Sequence, residues 1–188
     1  DEAQARESGL LGNWNAAGII HALARAATGK NVAADASRWI SQAFATSKSA
    51  LKHQDPIVRR SAVMAVFEIG GDAELKTVFS FLRQAKALED FDGAERALLS
   101  KQDDPAHVAR VSKAAITLLP RSEPPLRRSL AWLLGQFGGE ANLTAIQQAA
   151  ETTEDDADLA EMALALAYSP DRAASDNILA LVDVSKRV

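Results

Sequence analysis

One stretch of this chain recurs later in the chain with the same residues in the same order. The Arg-Arg-Ser sequence at 59–61 recurs at 127–129, and the Gly-Gly pair at 70–71 recurs at 138–139. The window 59–75 holds seven identities with the window 127–143, without a gap. We call the step from position 59 to position 127 the long step. Such self-similarity predicts several copies of one supersecondary unit, so it constrains the fold more than any single motif does.

A third, weaker copy follows the second at a shorter spacing. Leu134 and Ile146 correspond to Leu166 and Ile178 in this copy. The repeat is therefore roughly 32–34 residues long, a length typical of helical-hairpin repeats, and the long step covers two repeats. The intermediate segment, 91–120, is irregular and lacks the double glycine. A helical hairpin of this kind buries its apolar face only when neighbouring copies stack on it.

Each repeat is predicted to contain two helices. The Asp-Pro pairs at 55–56 and 104–105 and the Ser-Pro pair at 169–170 place a capping side chain before a proline, which the first helical position tolerates. The two Gly-Gly pairs supply the positive-φ backbone that ends a helix. No stretch alternates with the period of a strand, so no sheet is expected. Helices are predicted at 9–28, 36–52, 56–69, 73–88, 92–101, 105–119, 123–137, 140–152, 156–168 and 171–183.

Composition agrees with a helical fold and removes several other classes. Ala and Leu provide 59 of the 188 residues, whereas Gly and Pro together provide 16. These values exclude a disordered chain, a collagen-like chain and a strand-rich sandwich. The absence of cysteine excludes disulfides, thiolate metal sites and a cysteine nucleophile. A net charge of −4 provides no overall basic field for nucleic acid or an anionic membrane.

The sequence around the first Arg pair resembles a known repeat family. The sequence Asp-Pro-Ile-Val-Arg-Arg-Ser-Ala at 55–62, followed by Ile-Gly-Gly-Asp at 69–72, is similar to the HEAT-like repeat of the phycobilisome-lyase type. The similarity is good over 55–82, fair over 123–150 and weak over 156–182. It implies an all-α fold, an α-α superhelix (HEAT-like solenoid) of about five stacked helix pairs.

We expect residues 1–188 to form a single HEAT-like α-solenoid domain. Its first part, 1–54, aligns poorly with the rest and is predicted to be an atypical N-terminal capping unit, because the end of a stack has one bare face. The repeats are predicted to occupy 55–188.

The Arg pairs are the main polar candidates for binding. A row of guanidiniums at equivalent places in the repeats could bind phosphate or an acidic peptide. The resemblance implies an alternative, in which one Arg of each pair bridges the capping carboxylate of its own or the next unit, for instance Arg59 to Asp55 or Asp72. The second Arg of each pair is then the better candidate for a partner. The candidate binding residues are Arg60, Arg128, Arg59, Arg127 and Trp14.

Trp14 is included because it lies between two asparagines in the predicted capping unit, whereas Trp39 and Trp132 fall on apolar helix faces and are expected in the core. His21 is also expected in the core, and His53 and His107 lie near helix ends where an exposed imidazole is ordinary. The acids between 151 and 161 lack calcium-loop spacing and suit the start of a helix. We therefore expect no catalytic residues, no metal site and no cofactor.

These observations favour a non-enzymatic scaffold that binds a protein or peptide on a solenoid ridge or concave face. Two alternatives stay open: a lyase-like or small-ligand-binding subunit that acts with a partner, and nucleic-acid binding on a local basic ridge. Nucleic acid is the less expected partner because of the net charge. The sequence contains no apolar stretch of membrane-spanning length. A soluble protein is expected, in the cytoplasm or exported with its signal removed.

Overall fold

The computed structural model describes residues 18–20, 22, 24, 25 and 36–171. Throughout these ranges the regular elements are helices, and no strand occurs among them. The all-α prediction is therefore confirmed, while the predicted helix at 171–183 and most of that at 9–28 lie outside the described residues. The helices are α1 (Ala36–Ala50), α2 (Pro56–Gly70), α3 (Leu75–Leu82), α4 (Leu88–Leu99), α5 (Pro105–Leu118), α6 (Pro124–Phe137), α7 (Glu140–Glu151) and α8 (Asp156–Ala167). Short 3-10 segments occupy Gly71–Glu74 and Leu119–Arg121.

The chain divides into two compact units, residues 1–97 and 98–188. Each has its own set of buried aliphatic and aromatic side chains, and burial of this apolar surface is the main stabilising contribution. In the first unit the buried side chains include Val63, Val66, Phe67, Val78 and Leu82. In the second unit they include Leu130, Leu134, Leu143, Ile146 and Leu166.

Capping side chains begin α2 and α5 where the sequence predicts them. Asp55 Oδ1 accepts a hydrogen bond from the backbone N–H of Ile57 at 2.8 Å, and Asp104 Oδ1 accepts one from Ala106 at 2.9 Å. Each bond satisfies an N–H that has no partner inside the helix, and a proline follows each cap. The Asp-Pro pairs therefore begin α2 and α5 as expected.

Glycines with positive φ end α2 and α6. Gly71 has a φ of 58°, Gly138 of 64° and Gly139 of 84°. Side chains other than glycine rarely adopt this region, because their Cβ crowds the backbone. The Gly-Gly pairs thus supply the predicted turns, with the positive φ at the second glycine of the first pair and at both glycines of the second.

Two predicted helix boundaries in the first unit are wrong. The helix expected at 73–88 ends at Leu82, and the helix expected to begin at position 92 begins at Leu88. The side chain of Asp90 explains the early start, since Oδ2 accepts hydrogen bonds from the N–H groups of Lys86 and Ala87, both at 3.3 Å. An acid at the third helical position that bonds back to the cap in this way fixes a helix N-terminus.

Glycines also permit close contact between α2 and α4 in the first unit and between α6 and α8 in the second. A Cβ added to Gly93 of α4 would lie 2.9 Å from the Cα of Arg60 in α2, and one added to Gly135 of α6 would overlap the carbonyl of Ala165 in α8. Real Cβ atoms do not approach other atoms this closely. The α2–α4 and α6–α8 contacts therefore depend on the absence of a side chain at these two positions.

Candidate functional site

Arg59 joins α2 to α4 through a two-pronged ion pair. Its Nε donates to Asp90 Oδ1 at 2.8 Å, and its Nη2 donates to Asp90 Oδ2 at 2.9 Å. Its Nη1 donates to the carbonyls of His53 and Gln54, both at 2.8 Å. The Asp90 carboxylate is buried, with 2 % of its side chain exposed. Charge-assisted bonds of this kind are about twice as strong as neutral ones and fix the geometry of both groups.

Arg127 joins α6 to α8 in the equivalent place. Its Nη1 lies 3.1 Å from both Asp158 Oδ2 and Thr153 Oγ1 and donates to each. Its Nε and Nη2 donate to the carbonyl of Ser122 at 3.1 and 2.8 Å. Asp158 is fully buried. It is the third residue of α8, and its backbone N–H donates to the side chain of Asp155, the N-cap of that helix.

The two arrangements are related by the long step. Each Arg pairs with an Asp 31 residues later in the chain, and each Asp is the third residue of its helix. We call the group formed by Arg59 and Asp90 the N-terminal joint, and the group formed by Arg127, Arg128 and Asp158 the C-terminal joint. In each joint, the Arg also holds the carbonyl five residues before it, which precedes the start of its own helix.

The sequence locates the arginines and predicts a carboxylate of the same or the next unit as partner, but it does not identify which acid. Asp55, one expected partner of Arg59, caps the helix instead, and the ion pair goes to Asp90 in the following repeat. A signal for this partner is present in the sequence, because the long step that relates the arginines also takes Asp90 to Asp158. The irregular segment 91–120 lies between the double-glycine repeats and makes the correspondence of Asp90 with Asp158 difficult to recognise.

The second arginine of each pair is paired differently in the two joints. Arg60 Nε lies 2.6 Å from Asp92 Oδ2, and Asp92 Oδ1 also accepts from Arg96 at 2.7 Å. Arg128 Nε donates instead to the buried Asp158, at 2.7 Å. The side chains of Arg60 and Arg128 are 36 % and 37 % exposed.

Neighbouring acids determine the electrostatics of the arginines. The hydrogen bond to Asp90 raises the pKa of Arg59 above its ordinary value, although burial opposes this rise. The hydrogen bond to Asp158 likewise raises the pKa of Arg128, against some desolvation, and the nearby charges of Asp155 and Glu161 add to the rise. The guanidiniums of Arg59 and Arg128 therefore stay charged at every physiological pH. Each of the four candidate arginines is paired with a carboxylate.

The structure describes only some of the tryptophan and histidine candidates. Trp14 and His21 lie outside the described residues, as does the side chain of Trp39. Trp132 is half-buried and meets Tyr168 edge to face, with ring centroids 5.6 Å apart. His107, expected to be exposed, is fully buried with Nε2 2.7 Å from the carbonyl oxygen of Leu98, because the first turn of α5 places it in the core.

Two kinds of site are absent from the described part of the chain. Among the residues described, no three His, Asp or Glu side chains are grouped so that they could hold a metal ion. None of the helices found there has both the length and the apolar character needed to cross a bilayer.

An exposed, largely apolar surface lies on α8. We call it the α8 outer face, and Leu164 and Tyr168 dominate it, with 47 % and 64 % of their surface exposed. Large apolar side chains exposed together are a common mark of interaction surfaces. Its exposed residues are Ala157, Ala160, Glu161, Leu164, Ala167 and Tyr168.

No family model, curated protein or solved structure matches this chain. The resemblance to HEAT-like repeats therefore rests on the repeat residues themselves, chiefly those at 55–82, and the family stays a prediction.

Proposed function

We propose that this protein is a non-enzymatic scaffold that binds a protein or peptide, and that its helix pairs stack as a HEAT-like α-α superhelix. The recurrence of the Arg–Asp joint after the long step is the observation that carries the proposal. Two different stretches of sequence use an Arg–Asp pairing, with the Asp at the same helical position, to hold α2 against α4 and α6 against α8.

A buried ion pair contributes to geometry more than to net stability. Removing two charges from water offsets most of their attraction, so a well-packed apolar pair could stabilise the helices equally well. A carboxylate that accepts guanidinium bonds on both oxygens, from Arg59 alone at Asp90 and from Arg127 and Arg128 at Asp158, has its distance and orientation fixed. Repeat proteins whose neighbouring repeats hold a constant geometry present extended surfaces, and these surfaces are what such proteins use to bind partners.

The α8 outer face is the surface that best fits this role. Tyrosine and tryptophan are enriched among the residues that contribute most to binding, and Tyr168 lies against Trp132 at its edge. The arginine pairs fit less well, since their guanidiniums already hold carboxylates. Shape and apolar contact, with a few charged bonds, supply the binding energy.

Affinity capture after chemical crosslinking in an extract of the source cells tests the proposal. The baits are the wild-type chain, a Leu164→Ser/Tyr168→Ser variant, an Arg60→Gln/Arg128→Gln variant and a Leu88→Ser control. Leu88 is 85 % exposed and lies on another helix, so its variant removes an equally accessible apolar group.

We expect wild type and the Leu88→Ser control to capture the same protein, and the Leu164→Ser/Tyr168→Ser variant to lose it. Loss only in the Arg60→Gln/Arg128→Gln variant would assign binding to the second arginine of each pair. A wild-type bait that enriches no protein at physiological salt would contradict the scaffold function.

A further inference from the structure

The α8 outer face occupies the same register as a surface that already holds a helix. The helices α6 and α8 can be aligned at their first residues. In this alignment Arg128, Trp132 and Gln136 of α6 correspond to Ala160, Leu164 and Tyr168 of α8. The three residues of α6 all contact α8 or the residue after it: Arg128 pairs with Asp158, Trp132 contacts the Tyr168 ring, and Gln136 donates to the Tyr168 carbonyl at 3.5 Å.

The correspondence indicates what shape of partner fits α8. The register that α6 uses to contact α8 recurs on α8 with mostly smaller and more apolar residues, and Leu164 and Tyr168 remain exposed there. Tyr168 lies at the edge of this face, where its ring also contacts Trp132 of α6. Small residues at 157, 160 and 167 leave the backbone of α8 accessible to the larger side chains of an incoming helix. An α-helix with an apolar stripe is therefore the ligand of matching shape.

The charge around the face indicates the chemistry of that helix. Residues 151–171 carry seven acidic and no basic side chains. Arg127 and Arg128 neutralise Asp158, but the other acids around the start of α8 are exposed. Complementary charge speeds association and selects among partners, so the incoming helix needs Lys or Arg beside its apolar stripe. The exposed acids are Glu151, Glu154, Asp155, Asp156 and Glu161.

We propose that the α8 outer face is the docking site for a basic amphipathic helix of a partner protein. This inference rests on the proposed scaffold function and names the partner class. Leu164 and Tyr168 provide the apolar contact, and the acids at the start of α8 orient the basic side of the helix. One helix buries less surface than a standard protein interface, so the complex belongs to the weak, transient class.

Binding of designed peptides to the full chain tests the proposal directly. The probe is a fluorescent peptide about four turns long with a Leu stripe and Lys on its polar side. One control peptide has Glu in place of each Lys, and another has the same composition without helical periodicity. Fluorescence anisotropy at physiological salt gives the Kd of each peptide for wild type, the Leu164→Ser/Tyr168→Ser variant and the Leu88→Ser control.

We expect the Leu/Lys peptide to bind wild type and the Leu88→Ser control equally, and the Leu164→Ser/Tyr168→Ser variant at least roughly tenfold more weakly. The Glu peptide and the scrambled peptide should bind wild type at least roughly tenfold more weakly as well. Circular dichroism melts verify that each variant is folded. Equal binding of the Lys and Glu peptides, or unchanged binding by the folded Leu164→Ser/Tyr168→Ser variant, would overturn the proposal.

Disulfide trapping then locates the bound peptide. Because the chain has no cysteine, one introduced cysteine is unique. An Ala160→Cys variant places it on the α8 outer face, and a Thr144→Cys variant places it at an exposed position of α7 as a matched control. A peptide with one cysteine in its apolar stripe should crosslink to Ala160→Cys and not to Thr144→Cys; equal crosslinking to both would overturn the assignment.

Two other occupants are outcomes of the same set of experiments. A wild-type dimer in sedimentation that Leu164→Ser/Tyr168→Ser converts to monomer would assign the face to a second copy. A disulfide within an Ala160→Cys/Ile178→Cys chain that blocks the peptide would assign it to the following segment of this chain. Either result overturns the partner-helix proposal. Capture of a protein by both wild type and the face variant would retain the scaffold function and reject only this site.

Discussion

The N-terminal and C-terminal joints use the same residue types with different connections. Asp90 receives one guanidinium through two bonds, whereas Asp158 receives one bond from Arg127 and one from Arg128. We attribute the difference to one position. Asp92 attracts Arg60 in the N-terminal joint, but the equivalent residue in the later copy is Ala160, so Arg128 bonds to Asp158 instead.

The exposed surfaces of α4 and α8 also differ at this position and at its neighbours. In α4, Glu89, Asp92 and Arg96 stand where α8 has Ala157, Ala160 and Leu164. The charged network of α4 thus has an apolar, exposed counterpart on α8. The Arg–Asp pair is thus retained in both copies, while the exposed residues of the helix that carries the Asp differ between them. This difference produces the α8 outer face.

The largest expected effect separates the two joints. Arg59→Leu should lower the free energy of unfolding by about 3–5 kcal/mol, because it leaves buried Asp90 without a cationic partner. Arg127→Leu should lower it by only about 1–2 kcal/mol, since Arg128 still holds Asp158. Urea denaturation monitored by circular dichroism measures both. Equal losses would show that Arg128 does not replace Arg127.

The two helix contacts should tolerate an added methyl group unequally. Gly135→Ala should destabilise by about 2–3 kcal/mol, because its Cβ overlaps the backbone carbonyl of Ala165 and the helices must separate. Gly93→Ala should be milder, since its contacts with Arg60 are longer and alanine favours the helix by about 1 kcal/mol. Thermal melts of both variants provide the comparison. A Gly135→Ala protein more stable than wild type would contradict the close α6–α8 contact.

Introducing an acid at position 160 should give the C-terminal joint the side-chain pairing of the N-terminal joint. In an Ala160→Asp chain we expect Arg128 to pair with the new carboxylate, as Arg60 does with Asp92. The pair is partly exposed, so the coupling should be about 0.5–1 kcal/mol. A double-mutant cycle with Arg128→Leu measures it. Coupling indistinguishable from zero would refute the explanation given for the altered connection.

The smallest expected effect is a pH dependence that arises from Glu74 in the first unit. Burial by itself raises the pKa of Glu74, but hydrogen bonds from Thr77 and Lys48 and the Lys48 charge bring the pKa below the ordinary 4.5. Stability from this group is therefore present above pH 4.5 and is lost as the pH falls through the lowered pKa. The equivalent residue in the later copy is Asn142, which does not titrate.

Denaturation of wild type and Glu74→Gln across acidic pH tests this prediction. The variant should have a shallower loss of stability below pH 4.5, whereas Asn142→Gln should leave the slope unchanged. An identical slope for wild type and Glu74→Gln would remove Glu74 from the acid response.

Local rules account for the part of the fold that the sequence predicts. The helical class follows from apolar period and composition, and the starts at Asp55 and Asp104 follow from capping chemistry. The start of α4 does not, because it depends on Asp90, whose partners include a tertiary contact with α2. The prediction for His107 is wrong for the same reason: its position near a helix end predicts exposure, but packing buries it.

The candidate site shows the same limit. The Arg pairs are visible in the sequence because they recur at a fixed step. The partners of these arginines are not visible in the sequence. We attribute the pairing of Arg128 with Asp158 to the side chain at position 160 and to the close approach of α6 and α8. The α8 outer face becomes recognisable only when the contacts of α6 are known.

Double-mutant cycles on both joints test the central claim most directly. The cycles combine Arg59→Leu with Asp90→Ala, and Arg127→Leu with Asp158→Ala, and urea denaturation gives the coupling energies. If the joint is one repeated device, both couplings should exceed about 1 kcal/mol, and the Arg59–Asp90 coupling should be the larger. A coupling below about 0.5 kcal/mol at either joint would mean that the recurrence in sequence does not correspond to a shared interaction.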